Sequence, residues 1–379
     1  MKSLRNLLMV VALIAIPAFG QELTSDINLT VLDGNGNPIS GASATITFEP
    51  TNSSASKNTS NSGSVAFRGL RPGGPYTIEV SYGSNSESLS NVSLTVGDTF
   101  RSNVTLSTGS LEEIVTVASK LNTNKDIGFS TSVSSDDISK FSSVTRDLKD
   151  FVRLNPWSVA NDASDGQDAE LSIAAGGSRT NDILVDGASY NDDFGLNASG
   201  YPGQASPINL DSIEQLNVRV APSSIEYSNF EGGVIEVVTK GGTNDFKGSV
   251  YSYDRGDSFV GDSVDGRDID QEFDDTSEGF TLGGPIIKDK AFFFVAFESN
   301  DKTTPINYGP VGSGAPFSQP ITIEQVRQIQ TDTQNTYGFD PLLYSSSSSV
   351  TNENTTLRLE FILNDDHRLQ VNYRETDSE

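Results

Sequence analysis

The sequence contains no cysteine and a single histidine, His367. Without cysteine the chain has no disulfide framework, no thiolate nucleophile and no cysteine-ligated zinc or iron–sulfur site. A single histidine excludes a multi-histidine zinc site and leaves a Ser-His-Asp arrangement with one possible base. The G-x-S-x-G, H-E-x-x-H and phosphate-loop patterns are also missing. We therefore expect no catalytic residue, no metal ligand and no cofactor, and we do not expect an enzyme.

Basic residues are scarce: 25 Lys and Arg stand against 51 Asp and Glu, which gives a net charge of −26. Nucleic acid is excluded as a partner, since phosphates select basic surfaces.

Nine acids fall within residues 254–275, where we expect a solvated loop rather than a metal site. Asp-Gly-Asn-Gly-Asn at residues 33–37 resembles the opening of a calcium loop, but Ala44 stands where that loop needs Glu. Turn chemistry explains the motif better.

Long hydrophobic runs are absent except near the N-terminus. Residues 1–20 combine Lys2 and Arg5 with an apolar run and a small-x-small site, as in a secretory signal peptide. No other run approaches about 20 apolar residues, so any membrane insertion must use β-strands. We expect an exported chain.

Residues 21–108 have the pattern of a small β-sandwich. Short alternating runs are separated by turn formers such as Ser62-Gly63 and the Arg-Pro-Gly-Gly-Pro of residues 71–75. Six strands are expected, at residues 27–31, 44–48, 64–67, 76–80, 88–96 and 99–106.

Residues 126–244 mix helix and strand signals. Ser134 is placed to cap a helix, and residues 145–154 have apolar residues spaced for one helical face before Pro156. Strands are expected at residues 183–185, 216–220 and 234–239. We expect an α+β unit.

From residue 245 onward the pattern is that of alternating strands. Apolar residues at 357, 359, 361 and 363 oppose Arg358 and Glu360, and residues 368–374 alternate in the same way. Such strands fit a transmembrane barrel with its apolar face toward lipid, but a soluble sandwich would give the same alternation. The aromatic hairpin of residues 279–297 fits an interfacial girdle or a two-sided core. Residues 300–354 are expected to be a long connection with one helix capped by Thr322.

Three segments follow one another in a set order. Ile-Leu-Val-Asp-Gly at residues 183–187 precedes Ile-Glu-Gln-Leu-Asn-Val-Arg-Val at 213–220 and the glycine-flanked strand of 232–244. In this order and spacing they resemble the plug domain of TonB-dependent outer-membrane transporters. Residues 245–248 are similar to the start of the first barrel strand in that family, and residues 279–294 to a hallmark of its Oar-like group.

The resemblance implies a mainly β fold in several parts. These are an N-terminal β-sandwich of immunoglobulin or transthyretin type, an α+β plug, and the first strands of a truncated transmembrane β-barrel. The implied divisions are a signal peptide (1–20), a carboxypeptidase-regulatory-like sandwich (21–108), a linker with a TonB box (109–125), a plug (126–244), and barrel strands with long extracellular loops (245–379).

The box is assigned by resemblance to Glu113, Ile114, Val115, Thr116 and Val117. Pairing with an exposed sheet edge of TonB requires high β-propensity and little side-chain identity, which this run supplies. The sequence alone leaves a last sandwich strand equally open, and the position before a plug favours the box.

The plug motif implies a second set of functional positions. Plugs of the wider family often carry Ile-Arg-Gly before a variable loop, and residues 173–179 here read Ile-Ala-Ala-Gly-Gly-Ser-Arg instead. Oar-like members share this Gly-Gly-x-Arg form. The expected plug-motif residues are Arg179, Asp186, Gly187, Gly232, Gly233, Thr239, Gly241 and Gly242.

The function implied by the resemblance is energy-coupled import or translocation of a large ligand such as a peptide, protein or glycan. Its partners would be TonB, with ExbB and ExbD, and the lipid of a Gram-negative outer membrane, with the sandwich and box in the periplasm. The sequence identifies neither the ligand nor the residues that contact it. The competing hypothesis is a secreted or surface-attached β-rich adhesin without transport, which explains the acidity and the sandwich but not the motif order.

Length is the remaining feature. Plugged barrels of this kind close with about 22 strands, whereas 379 − 244 = 135 residues follow the plug and hold four to six. We therefore expect the sequence to be the N-terminal part of a longer protein.

Overall fold

The computed structural model describes residues 24–106 and 129–379, apart from residues 144, 161–169, 204, 226, 260, 262, 265–266, 269–272, 307, 314, 316, 342–343, 346 and 365–366. The predicted signal peptide and TonB box lie outside the described residues. Among the described helices, none is both long and apolar enough to cross a membrane.

The first unit, called the sandwich below, consists of two facing sheets with the orders β4-β1-β7 and β3-β2-β5-β6. Alternate residues of β1, such as Ile27, Leu29 and Val31, point into one apolar core. The predicted sandwich is confirmed, but β3 is missing from the prediction because its residues are small or polar and mostly exposed at a sheet edge. Its strands are β1 (Ser25–Asp33), β2 (Ser43–Phe48), β3 (Ser53–Asn58), β4 (Ser64–Leu70), β5 (Gly73–Tyr82), β6 (Asn85–Leu94) and β7 (Thr99–Leu106).

The motif at residues 33–37 is a turn. The Asp33 carboxylate accepts hydrogen bonds from the backbone N–H groups of Asn35 and Asn37, at 2.9 and 2.8 Å. These bonds lower the pKa of Asp33, the Asn37 backbone bond most of all. The carboxylate therefore serves the turn, as the sequence predicts.

The second unit, called the plug unit (residues 129–244), contains a sheet with the order β12-β11-β14-β13-β8. β11 and β14 run parallel, and β13 pairs antiparallel with both β14 and β8. Its elements are β8 (Phe129–Ser134), α1 (Ser135–Lys140), α2 (Lys149–Val152), β9 (Ser158–Ala160), β10 (Leu171–Ile173), β11 (Asp182–Val185), β12 (Ala188–Ser189), β13 (Ile213–Val220) and β14 (Gly233–Thr239).

Both predicted helices of this unit exist, but one is shorter than expected. Ser134 caps α1 in a capping box with Asp137, as predicted. The helix expected over residues 145–154 is reduced to α2, four residues long. Arg146 has a left-handed φ of 51°, which a helix excludes, and Thr145 is bonded through its hydroxyl to Asp150. Most apolar residues of this segment are buried as their spacing predicted, but the helix they form is shorter than the spacing suggested.

The third unit, called the barrel sheet, has the order β15-β18-β19-β22-β23, with each neighbour antiparallel. Its first strand begins at Lys247, within the Asp-Phe-Lys-Gly sequence of residues 245–248. Its elements are β15 (Lys247–Gly256), β16 (Ser263–Val264), β17 (Arg267–Asp268), β18 (Asp274–Ile287), β19 (Ala291–Pro305), β20 (Tyr308–Val311), β21 (Phe317–Thr322), α3 (Ile323–Tyr337), β22 (Ser347–Asn364) and β23 (His367–Ser378).

The barrel sheet has two different ends. At its turn end, short connections join β18 to β19 and β22 to β23; at its loop end, residues 257–273 and 306–346 connect the strands. The predicted connection over residues 300–354 was too long, since β19 continues to Pro305 and β22 begins at Ser347. Polar residues there, such as Asn352 and Asn354, face the plug unit, so their polarity did not indicate a loop. Thr322 caps α3, as predicted.

Candidate functional site

The inner face of the barrel sheet packs on the plug unit along a contact called the seam. On β22 every second residue is buried and polar: Asn352, Asn354, Thr356, Arg358 and Glu360 are all at most 5% exposed. The apolar residues between them face outward, and on β23 Leu369, Val371 and Tyr373 are about half exposed. Polar residues inside and apolar residues outside are the arrangement of a transmembrane barrel strand.

Asp186 is the centre of the seam. Its carboxylate accepts from the Thr239 backbone N–H at 2.9 Å and from the Thr239 hydroxyl at 2.7 Å. The Arg374 guanidinium of β23 forms an ion pair with the same carboxylate and donates to the Val185 carbonyl at 2.9 Å. Asp186 has a left-handed φ of 44° and is followed by Gly187 at 76°, a turn that Asp and Gly tolerate well. The turn thus aims the carboxylate at both the plug sheet and the barrel.

Thr239 links this group to β22. Its backbone carbonyl accepts from Arg358 Nη1 at 2.6 Å, while its side chain is bound to Asp186. Thr239 is fully buried. Thr239, at the end of β14, is therefore bonded directly to β22 through Arg358 and is linked to β23 through Asp186 and Arg374.

A second set of contacts holds the other side of the plug unit. Arg146 forms ion pairs with Asp211 at 2.5 Å and with Glu298 of β19 at 2.9 Å. Its guanidinium also lies over the rings of Tyr251 and Tyr253, with centroid distances of 4.8 and 4.3 Å. Burial alone would lower the pKa of Arg146, but the two carboxylates raise it. Arg146 therefore stays charged inside the seam.

The motif glycines lie where the backbones approach most closely. A Cβ on Gly232 would lie 2.0 Å from the Ile173 carbonyl oxygen, and one on Gly233 would lie 2.7 Å from that of Arg219. On Gly242 it would meet the Phe293 carbonyl oxygen of β19 at 2.4 Å, and on Gly241 the Arg71 guanidinium at 2.6 Å. Larger side chains at Gly232 and Gly233 would disturb the plug unit itself, and one at Gly242 would push the plug unit away from the barrel sheet.

The structure brings Asp186, Thr239 and Gly242 of the predicted set to the seam, and Gly187 follows Asp186 in the same turn. Gly241 lies against Arg71 of the sandwich, and Gly232 and Gly233 lie inside the plug unit. Arg179 lies exposed in a short 3-10 turn, Ser178–Thr180, and its side chain does not take part in the described contacts of Asp186. The predicted box, Glu113 to Val117, lies outside the described residues.

Sequence reasoning missed Arg146 on the plug side of the seam. On the barrel side it missed the contacts of Glu298, Arg358, Glu360 and Arg374. The alternation around Arg358 and Glu360 showed that they share a face, and it did not show what they contact. Charged residues at regular inward positions opposite an apolar face were the available signal.

The described contacts of the seam are ion pairs and hydrogen bonds. Among the described residues, no group of three or more His, Cys, Asp or Glu side chains is placed to hold a metal ion.

Three family models match successive parts of the chain. The carboxypeptidase regulatory-like domain matches residues 26–107, the TonB-dependent receptor plug domain matches residues 123–235, and an outer membrane beta barrel domain matches residues 238–311.

Two curated relatives are similar to parts of the chain. The TonB-dependent transporter Oar of Myxococcus xanthus is 33% identical over 152 residues, which are 37% of this chain and 14% of Oar. The probable TonB-dependent siderophore receptor PirA of Acinetobacter baumannii is 28% identical over 188 residues, which are 47% of this chain and 23% of that protein. The alignments thus span less than a quarter of either relative.

Solved structures give a partial match. The siderophore receptor PirA from Acinetobacter baumannii superposes with a TM-score of 0.45 at 18% identity, over 66% of this chain and 31% of that one. The outer membrane transporter YddB from Escherichia coli does so with a TM-score of 0.44 at 11% identity, over 66% and 33%. The assignment rests instead on the family models, in their order along one chain, and on the Oar relative. By these matches the chain carries, in order, a carboxypeptidase regulatory-like domain, a TonB-dependent receptor plug domain and an outer membrane beta barrel domain, and it is similar to the TonB-dependent transporter Oar over part of its length.

Proposed function

We propose that this chain forms part of a transporter that moves a large ligand, such as a peptide, protein or glycan, across a Gram-negative outer membrane at the expense of energy delivered by TonB. The observation that carries the proposal is the seam. Asp186 and Arg146 hold the plug unit against the inner face of the barrel sheet through ion pairs with Arg374 and Glu298. A plug held by side-chain ion pairs can leave without unfolding the barrel strands, as a gate requires.

The orientation follows from the two ends of the barrel sheet. We place the turn end and the sandwich in the periplasm, and the long connections of the loop end outside the cell. The division into signal peptide, sandwich, linker with box, plug and barrel strands is part of the same proposal. Ligand would then reach the plug from the loop end, and TonB from the turn end.

The proposed cargo class is argued from the long connections at the loop end of the barrel sheet. The Oar relative is named a transporter without a cargo, and PirA is named a siderophore receptor. We favour a large ligand because the connections at the loop end are long and include α3, which exposes its side chains. A siderophore is the competing class.

The coupling step is strand addition by residues 113–117 to TonB, whose own energy would come from ExbB and ExbD. Proline removes a ladder donor and resists pairing inside a strand. Val115→Pro should therefore abolish binding of the purified periplasmic domain of TonB, measured by calorimetry on the intact chain. Asn122→Pro, in the same linker but outside the box, should bind like the parent.

Unchanged TonB affinity in Val115→Pro would remove the box from residues 113–117. If the parent chain itself does not bind TonB, the adhesin hypothesis replaces transport.

A further inference from the structure

The sandwich contacts the plug unit through the short loop around Val96, and also at Gly241, where an added Cβ would lie 2.6 Å from the Arg71 guanidinium. The Val96 backbone N–H donates to Gln215 Oε1 at 3.0 Å, and Arg219 Nη2 donates to the Val96 carbonyl at 2.6 Å. Val96 is 1% exposed and Gln215 is 5% exposed. A Cβ on Gly97 would lie 2.7 Å from Arg219 Nη2, so the loop fits closely against β13.

The sandwich contacts the barrel sheet at separate positions, all at the turn end. Arg71 reaches Glu360 of β22 at 3.5 Å, and both side chains are at most 4% exposed. Arg368 of β23 donates to the Gly69 carbonyl at 3.1 Å. At the junction before β15, the Asn244 backbone N–H donates to the Pro50 carbonyl at 2.8 Å. The sandwich therefore bridges the plug unit and the barrel sheet.

The plug-side contact is backed by a buried network. Arg219 Nε donates to Glu236 at 2.6 Å, and the Tyr227 hydroxyl donates to the same carboxylate at 2.9 Å. Burial alone would lower the pKa of Arg219, but the Glu236 carboxylate raises it, so the guanidinium stays charged. Breaking a buried charge-assisted contact of this kind is costly.

The barrel-side contact is weaker. Glu360 is shared among three guanidinium groups, those of Arg358 at 3.4 Å, Arg71 at 3.5 Å and Arg368 at 3.6 Å. All three distances exceed those of short charge-assisted bonds. Arg358 and Arg368 belong to the barrel sheet and repel Arg71, since like charges at short range oppose each other. Arg71 is thus the member of the cluster that can leave with its own domain.

We propose that the sandwich is a releasable latch: its Arg71 contact with Glu360 ties the plug unit to the turn end of the barrel sheet, and this contact opens first, so that sandwich and plug unit leave the barrel together. The role of the latch in gating rests on the proposed transport function, whereas its order of release does not. In sequence, residues 107–128 connect β7 of the sandwich to β8 of the plug unit.

Two backbone amides report the two contacts separately. Asn244 is the last residue of the plug unit, but its side-chain amide is bonded to Asp289 in the turn between β18 and β19, at 2.7 and 2.9 Å. Its backbone N–H, bonded to Pro50, therefore reports the barrel side, and the Val96 N–H reports the plug side. Their hydrogen exchange is measured in the intact chain in detergent, in the parent and in Arg71→Ala. We expect Asn244 to exchange about tenfold faster or more in the variant, while Val96 keeps its protection. Arg68→Ala, exposed on β4 three residues before Arg71, should change neither amide.

Glu360→Gln repeats the test from the barrel side and leaves the sandwich sequence intact. It should speed hydrogen exchange at the Asn244 N–H as Arg71→Ala does. This second variant is needed because Arg71 lies 5.1 Å from the centre of the Phe48 ring, so Arg71→Ala could also loosen the sandwich core. The latch is wrong if neither variant speeds exchange at Asn244, or if Glu360→Gln frees Val96 as well. This exchange measurement does not depend on TonB binding. The transport proposal can therefore be disproved while the latch proposal is confirmed.

Discussion

Asp186 binds groups from two different parts of the chain, and this explains why an aspartate follows the buried strand β11. Thr239 reaches it from β14 and Arg374 from β23, 53 and 188 residues away in sequence. Asp186 is 8% exposed, so neither partner is replaced readily by water. The residue therefore supports the plug fold and the seam together.

Asp186→Asn tests this double role while keeping the size and the left-handed turn. The Arg374 guanidinium would lose its counter-ion inside the seam, and breaking a buried pair costs about 3–5 kcal/mol. We expect the free energy of unfolding of the plug unit to fall by that order. Urea unfolding followed by the fluorescence of Trp157, the single tryptophan of the chain, measures it. Asp193→Asn, exposed in the next loop, is the control.

The double variant Asp186→Asn/Arg374→Gln completes the cycle. If the two residues act as a pair, the double variant should be less destabilised than the sum of the single ones. Simple additivity would show that Arg374 does not depend on Asp186.

At the scale of elements, β22 and β23 show what the alternation of apolar and polar residues can and cannot predict. Their alternation predicted two faces, and the structure confirms the faces: polar residues pack on the plug unit and apolar ones point outward. The pattern could not distinguish lipid from a second protein layer as the outer neighbour, because both favour apolar residues. The assignment of lipid as the outer neighbour came from the resemblance to outer-membrane barrels.

A charged residue introduced on the outer face of β23 tests whether that face meets lipid or a second protein layer. Val371 is 48% exposed on β23, and Val371→Arg should impair insertion into bilayers, at a cost of about 2–4 kcal/mol near the membrane midplane. Gln370→Arg adds the same charge to the opposite face, beside Glu360, and should insert like the parent. Folding yield into lipid vesicles is the measurement. Equal yields of both variants would indicate that this face does not meet lipid.

Two strands, β3 and β8, could not be predicted from the alternation of apolar and polar residues. β3 was missed because a polar edge strand has no buried face, and β8 because its Ser and Thr residues carry little apolar signal. Strand β8 exists because it completes the plug sheet against β13 over six paired positions. Tertiary pairing therefore overrode local preference in both strands.

At the scale of the whole molecule, the three units form one connected body through the seam and the sandwich contacts. The plug unit also meets the last described strand near the loop end, where a Cβ on Gly203 would lie 3.4 Å from Ser378 Cβ. This spacing is close to the roughly 3.5–4.5 Å between the Cβ atoms of a disulfide.

The pair Gly203→Cys/Ser378→Cys should therefore close a disulfide under mild oxidation. Because the parent chain has no cysteine, no other disulfide competes. We expect the closed bond to raise the free energy of unfolding of the plug unit by about 2–4 kcal/mol, again followed by Trp157 fluorescence, and reduction to reverse the gain. Gly34→Cys/Ser378→Cys should stay reduced, since Gly34 lies in an exposed sandwich turn. A double variant at 203 and 378 that does not oxidise would place the plug unit elsewhere.

The sequence by itself determined the mainly β fold, the order of sandwich, plug and barrel strands, and the two faces of the last hairpin. These properties follow from local patterns, namely strand alternation, turn formers and a motif with fixed spacing. The tertiary structure alone decided which charges meet. Asp186 with Arg374, Arg146 with Glu298, and Arg71 with Glu360 are each separated by more than 150 residues. An acidic chain offers many carboxylates to each arginine, and only the packing of three units selects the ones that are buried together.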